Sequence, residues 1–129
     1  MAHVSLNLMV IRARDIDIAA HFYALLGLEF TKHRHGSGPE HYASEQPDLV
    51  FEIYPQPADG ASSAGARIGF QVPSIDAVLP QLEAAGARIV SPAKDSPWGR
   101  RAVIDDLDGH RVELTEPSQE TERPPCGNT

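Results

Sequence analysis

The sequence contains one cysteine, Cys126, in a polar C-terminal stretch with no second cysteine to pair with. That excludes a disulfide framework within the chain and makes a reducing cytoplasm the expected compartment. Basic residues are also scarce. Eleven Lys and Arg stand against eighteen Asp and Glu, for a net charge of −7. Nucleic-acid binding needs a basic face to meet phosphates, so this balance argues against it. No apolar run approaches the roughly 20 residues that a spanning helix needs, which argues against a membrane role. The opening residues, Met1 to Asn7, lack a basic segment followed by an apolar one, so no signal peptide is expected. What remains is ordinary. At 129 residues, 41% hydrophobic and 22% charged, the chain suits one compact domain or two small fused modules.

The organising feature is a pair of similar stretches. Leu49-Val-Phe-Glu52-Ile-Tyr-Pro55 and Arg111-Val-Glu113-Leu-Thr-Glu-Pro117 each set an isolated Glu among apolar residues shortly before a proline. In the second, Val112 and Leu114 fall on one strand face, and Arg111, Glu113 and Thr115 on the other. An acidic turn, Asp106-Leu-Asp-Gly109, leads into it. Ahead of each stretch the pattern repeats. Ser5 to Ile11 and Ala66 to Val72 read as strands. Asp15 and Ser74 are N-cap residues, with Asp17 and Asp76 in the first helical turns where a negative charge suits the helix dipole. Ile18, Phe22, Leu25 and Leu26 form one apolar stripe, and Val78, Leu79 and Leu82 the other. Gly27 and Gly86 end the helices. Ile16 and Ile75 are 59 residues apart, and so are Gly27 and Gly86. Pro80 removes a backbone donor inside the second helix and predicts a kink or a short helix. Further strands are expected at Leu28–His33, His41–Ser44, Leu49–Tyr54, Arg88–Ser91, Arg101–Ile104 and His110–Thr115. The chain thus reads β-α-β-β-β twice, with a polar linker between, and the two copies should pack together because neither buries a good core alone.

Arranged this way, the sequence resembles the vicinal oxygen chelate superfamily, which includes glyoxalase I, bleomycin-resistance proteins, fosfomycin-resistance enzymes and extradiol dioxygenases. The match is carried by Asp15-x6-Phe22-Tyr23-x2-Leu26-Gly27-Leu28, Leu49-Val-Phe-Glu52-Ile, Leu82-x3-Gly86, Pro97-Trp98-Gly99 and Asp106-Leu-Asp-Gly-His-Arg-Val-Glu113-Leu. The resemblance implies an α+β fold in which tandem βαβββ modules form an eight-stranded cup, in a homodimer. Module one spans about 4–56, the linker 57–65 and module two about 66–117. Residues 118–129 make a polar, Pro-rich tail expected to be disordered. The family's metalloenzymes draw ligands from the first and last strand of each module, which carries over by spacing to Leu8, Glu52, Arg67 and Glu113. Both carboxylates are kept, but Leu8 and Arg67 stand where imidazoles are common. Leucine has no donor atom, and arginine is a permanent cation without a lone pair. A guanidinium beside the carboxylates would neutralise them instead.

Two functional readings follow. In the first, the protein binds or sequesters a small molecule without the usual metal, as in the bleomycin-resistance branch. Arg67, His41, Tyr54, Trp98 and Arg100 then contact the ligand, and the acidic chain favours a cationic drug. In the second, it is a lyase or isomerase of glyoxalase type, or a dioxygenase-type enzyme. Glu52 and Glu113 are then catalytic, with a divalent metal rebuilt around Glu52, Glu113 and His41, or with Arg67 as the cation in its place. Polar residues at the rim of the cup are the plain alternative for His33, His35 and His41, and a surface or structural role for His3, His21 and His110.

Overall fold

The computed structural model describes residues 3–118, which fall into two compact units on either side of the Ser63–Ala64 bond. The expected tail beyond, with Cys126, lies outside the described residues. In the first unit β1 (Leu8–Ala13) leads to α1 (Ile16–Ala24), then β2 (Thr31–His33), β3 (His41–Glu45) and β4 (Val50–Pro55). In the second, β5 (Arg67–Gln71) leads to α2 (Ile75–Ala84), then β6 (Arg88–Ser96), β7 (Gly99–Asp105) and β8 (Arg111–Pro117). Each unit is one open four-stranded sheet, ordered β1-β4-β3-β2 and β5-β8-β7-β6. In both, the first strand lies parallel to the last and the others run antiparallel. The internal repeat is therefore a repeat of topology. No helix among the described residues is long and apolar enough to cross a membrane.

The caps form as their residue types demand. Asp15 accepts from the amides of Asp17 and Ile18 at 3.0 and 3.1 Å, and Ser74 accepts from Ala77 at 3.2 Å. At Gly86 the backbone turns to φ +113°, and the amides of Gly86 and Ala87 return to the carbonyls of Glu83 and Leu82. That pattern closes a helix with a left-handed residue, where glycine costs least. Glu116 adds a further cap: its Oε1 accepts from the Ile75 amide at 2.8 Å, tying β8 to the start of α2.

Several expectations need correction. The buried arc of α1 is Ala19, Ala20, Phe22 and Tyr23, while Ile18 is 55% exposed. With 100° of rotation per residue, an arc centred between Ala19 and Tyr23 turns Ile18 outward. The expected strand from Leu28 pairs only over Thr31–His33, where β3 offers partners. The second helix runs ten residues through Pro80, whose ring faces solvent. β6 continues past Ser91 to Ser96, with register shifts on both sides of Ser91. A bulge there accommodates Pro92, which has no amide to donate. The core of module one is Ile11, Phe22, Tyr23, Phe51 and Ile53; that of module two is Ile75, Leu82, Ile104, Val112 and Leu114.

Candidate functional site

In module two the odd-numbered residues of β8 point away from the core, because Val112 and Leu114 are fully buried on the other face. Glu113 projects from this open face beside Gly69 of β5, its register partner. With no side chain at 69, Arg67 reaches past it, and its Nε donates to Glu113 Oε2 at 3.3 Å. Arg101, on β7, donates its Nε to Glu113 Oε1. Each carboxylate oxygen therefore has its own guanidinium. The hydrogen bond from Arg101, with that from Arg67 adding to it, holds Glu113 below its ordinary pKa, against the opposing effect of partial burial.

This face lines a cavity of about 610 Å³ whose walls include Phe70, Val90, Lys94, Trp98, Arg101 and Glu113. Its size is that of a small-molecule site. Trp98, 41% exposed, stands at the tip of the β6–β7 hairpin, where Ser96 pairs with Gly99. Ser96 Oγ fixes the tip by donating to the Gly99 carbonyl at 2.8 Å and accepting from the Trp98 amide at 3.3 Å. Gly99 has φ +141°, and a Cβ there would run into the Glu116 carbonyl. Arg100 also lines the cavity, but its guanidinium is already taken by Asp95 at 2.8 Å and by Asp76 at 3.1 and 3.2 Å. Its hydrogen bond to Asp95, opposed by desolvation and aided by those to Asp76, raises its pKa.

In module one, Glu52 occupies the matching place on β4 but has different company. His41, a candidate ligand contact with a rim position as the plain alternative, is only 2% exposed. Its ring stacks on Tyr54 at 4.2 Å between centroids, and the Arg12 guanidinium lies over the Tyr54 ring at 5.5 Å. His33 and His35 remain exposed, with ring centroids 5.9 and 5.3 Å from that of His41. His41 Nδ1 lies 3.3 Å from the Pro39 carbonyl, which can only accept, so Nδ1 carries the proton. Its Nε2 is buried without a hydrogen-bond partner among the described residues, 3.9 Å from Glu52 Oε2. Leu8 is 48% exposed at the edge of the sheet. Among the described residues, no three His, Cys, Asp or Glu side chains converge as a metal-binding group.

The sequence singled out Glu52, Glu113, Arg67, His41, Tyr54, Trp98 and Arg100; Glu113, Arg67, Trp98 and Arg100 fall in module two, while Glu52, His41 and Tyr54 fall in module one. It did not mark Arg101 as the second clamp on Glu113, although Arg101 has the strand parity that points it at the cavity. Nor did it mark the buried pair Asp106–His110. There His110 Nδ1 lies 2.8 Å from Asp106 Oδ2, and Asp106 Oδ1 accepts from the amides of Asp108 and His110. An Asp four residues before a His across a Gly turn was the available signal.

Known proteins share this architecture. The sequence model of the Glyoxalase/Bleomycin resistance protein/Dioxygenase superfamily matches residues 2–114. A protein of Mycolicibacterium smegmatis, described as uncharacterized, is 26% identical over 117 residues, covering 91% of this chain and 97% of its own. Among solved structures, TnmS3, an antibiotic binding protein from Streptomyces sp. CB03234, superposes with a TM-score of 0.69 at 22% identity. That match covers 92% of this chain and 99% of TnmS3. The oxidase ChaP-H2 superposes with a TM-score of 0.71 at 22% identity, covering 93% of this chain and 98% of its own.

Proposed function

The chain belongs to the Glyoxalase/Bleomycin resistance protein/Dioxygenase superfamily, and from that membership we propose that it binds a small organic molecule in the module-two cavity without a metal. One observation carries the reading: both oxygens of Glu113 are engaged by arginines. A divalent cation at Glu113 would have to displace two permanent cations, and neither Arg67 nor Arg101 has a lone pair to offer it. The donor set around Glu113 does not fit a metal centre. It fits a fixed polar floor under an aromatic wall, with Trp98 as the stacking surface. TnmS3, one of the structural neighbours, is an antibiotic binding protein.

The second reading, a lyase, isomerase or dioxygenase-type enzyme, keeps one supporting observation. His41 Nε2 and Glu52 Oε2 lie 3.9 Å apart, and Nε2 has no hydrogen-bond partner among the described residues. The proposal extends to a cytoplasmic homodimer in which both modules act as one domain. Exposed Val4, Leu6 and Leu8, on and before the edge strand β1, support a covered surface there.

The test has two arms on the full chain. After chelator treatment, Ni, Zn, Mn, Fe(II) and Mg are titrated while Tm is followed. A metal at 100 times its Kd stabilises by about 2.7 kcal/mol, or roughly 10 °C for a chain of this size. No saturable rise is expected, and one that disappears in Glu113→Gln would overturn the metal-free reading. In the other arm, Trp98, the sole tryptophan, reports binding by its emission during a screen of flat organic compounds. Saturable quenching is the expected result, and no saturable change in emission with any compound would overturn the cavity reading.

A further inference from the structure

Resting on the cavity reading, we infer that the ligand is a flat aromatic molecule carrying an oxyanion, a carboxylate or phenolate, gripped by Arg101 and Lys94. The net charge of −7 points the other way, toward a cationic ligand. Contact charges decide binding at close range, however, and the charges lining the cavity are not equally available.

Each acidic group of the lining is already in use. Glu113 is held by Arg67 and Arg101. Glu116 accepts from the first amide of α2, and Asp95 pairs with Arg100. The basic groups are in surplus. Arg101 contributes only its Nε to Glu113, so both of its outer nitrogens lack a protein acceptor among the described residues. Lys94 has no ion pair or side-chain hydrogen bond among them. Both residues line the cavity. They are also direct register partners across β6 and β7, so two like charges rise side by side from the same sheet face. Such a pair destabilises a sheet unless something negative lies between its members. An oxyanion supplies that charge, and the planar fork of Arg101 suits two parallel bonds to a carboxylate. Trp98, Phe70 and Val90 provide the apolar wall for the rest of the ligand. Because both oxygens of Glu113 already meet a guanidinium, its charge is neutralised and it attracts a cationic competitor less.

The experiment uses three probes of one shape: 2-naphthoate, 2-naphthylmethylammonium and 2-naphthylmethanol. Trp98 gives a single indole N–H resonance, so its shift reports occupancy of this cavity alone. Naphthoate is expected to bind at least about tenfold tighter than the ammonium probe, with the alcohol between them. Lys94→Gln, which breaks no ion pair or side-chain hydrogen bond among the described residues, should weaken naphthoate about fivefold or more and leave the alcohol within about twofold. Arg101→Gln should do the same. Equal affinities, or a preference for the ammonium, with the indole resonance moved by all three probes, would overturn the oxyanion inference and leave the cavity reading standing. Naphthoate binding that leaves the indole resonance still would place the anion elsewhere and overturn it. No binding of any probe at millimolar concentration would also overturn it, while the metal titration and compound screen judge the cavity reading separately.

Discussion

Replacing Glu113 by Gln removes one charge and almost no volume, and its consequences can be worked out from the clamp. The carboxylate is 25% exposed, and its partners Arg67 and Arg101 are 52% and 44% exposed. Pairs this accessible are screened by solvent, so each contributes about 0.5–1 kcal/mol and the two together about 1–2 kcal/mol. The Gln carbonyl still satisfies one guanidinium, but its NH2 turns a donor toward the other. With an unfolding entropy of roughly 0.27 kcal/mol per K for this chain length, the loss lowers Tm by about 4–7 °C at neutral pH. The pH dependence gives the sharper check. The arginines depress the folded-state pKa of Glu113 below its ordinary 4.5, so its contribution is fully present above that value. It disappears as pH falls through the lower folded value, because the unfolded chain then binds the proton first. Nothing titrates at position 113 in the variant. Melting curves of both proteins should therefore be separated at pH 7 and pH 5.5, and the separation should narrow as pH falls below 4.5. Arg101→Gln should cost more than Arg67→Gln, since the Arg101 hydrogen bond is the larger cause of the depression. A separation unchanged at pH 3.5, or absent at pH 7, would refute the clamp.

Two further substitutions test the frame of the site. Gly99→Ala places a Cβ against the Glu116 carbonyl and within 3.1 Å of Pro117 Cα, at a φ that L residues rarely adopt. It should cost about 2–4 kcal/mol in denaturant unfolding and broaden the Trp98 indole resonance, and an unaltered midpoint would mean that the hairpin tip yields easily. Pro80→Ala restores an amide that can donate to the Asp76 carbonyl at an exposed helical position. The gain in helix propensity exceeds the loss of proline's restriction on the unfolded chain, so stability should rise by about 1 kcal/mol, and a fall in Tm would refute this account of Pro80.

The parts of the fold legible in the sequence are those set by local chemistry. Asp15 and Ser74 cap because their side chains reach amides two or three residues on, whatever surrounds them. Gly27 and Gly86 stop the helices for an equally local reason. The isolated glutamates marked the open sheet faces because period-two alternation leaves a lone carboxylate no other place. The errors arose where a distant partner decides. Leu28 to Phe30 alternate as a strand does, but a strand is made by its pairing, and that with β3 stops at Thr31. Ile18 looked buried because it extended an apolar stripe; packing against β4 selected the adjacent arc, rich in alanine. The burial of His41 follows from its stack on Tyr54, thirteen residues away, which no local pattern records. Asp106 and His110 are buried because each satisfies the other, and a turn rich in polar residues hides that in sequence.

The repeat makes each module a reference for the other, and the comparison narrows what separates them chemically. Glu52 faces Ala43 on β3, and Glu113 faces Val103 on β7. Two residues earlier on those strands stand His41 and Arg101, which are therefore equivalent. On the first strands, Val10 partners Glu52 and Gly69 partners Glu113, so Leu8 and Arg67, two residues earlier, are equivalent as well. Each glutamate thus has the same two flanking positions. Module one fills them with an apolar side chain and a base that can gain or lose a proton. Module two fills them with two cations that never lose theirs. The side chain between differs too: Val10 in module one, nothing at Gly69. Those three substitutions account for the contrast. Removing the Cβ at 69 opens the path by which Arg67 reaches Glu113, and arginine in place of histidine at 101 closes the clamp from the other side. With both oxygens of Glu113 held and Lys94 set opposite Arg101, the positive charge left on that face has no carboxylate to meet among the described residues. A ligand's oxyanion would complete the arrangement.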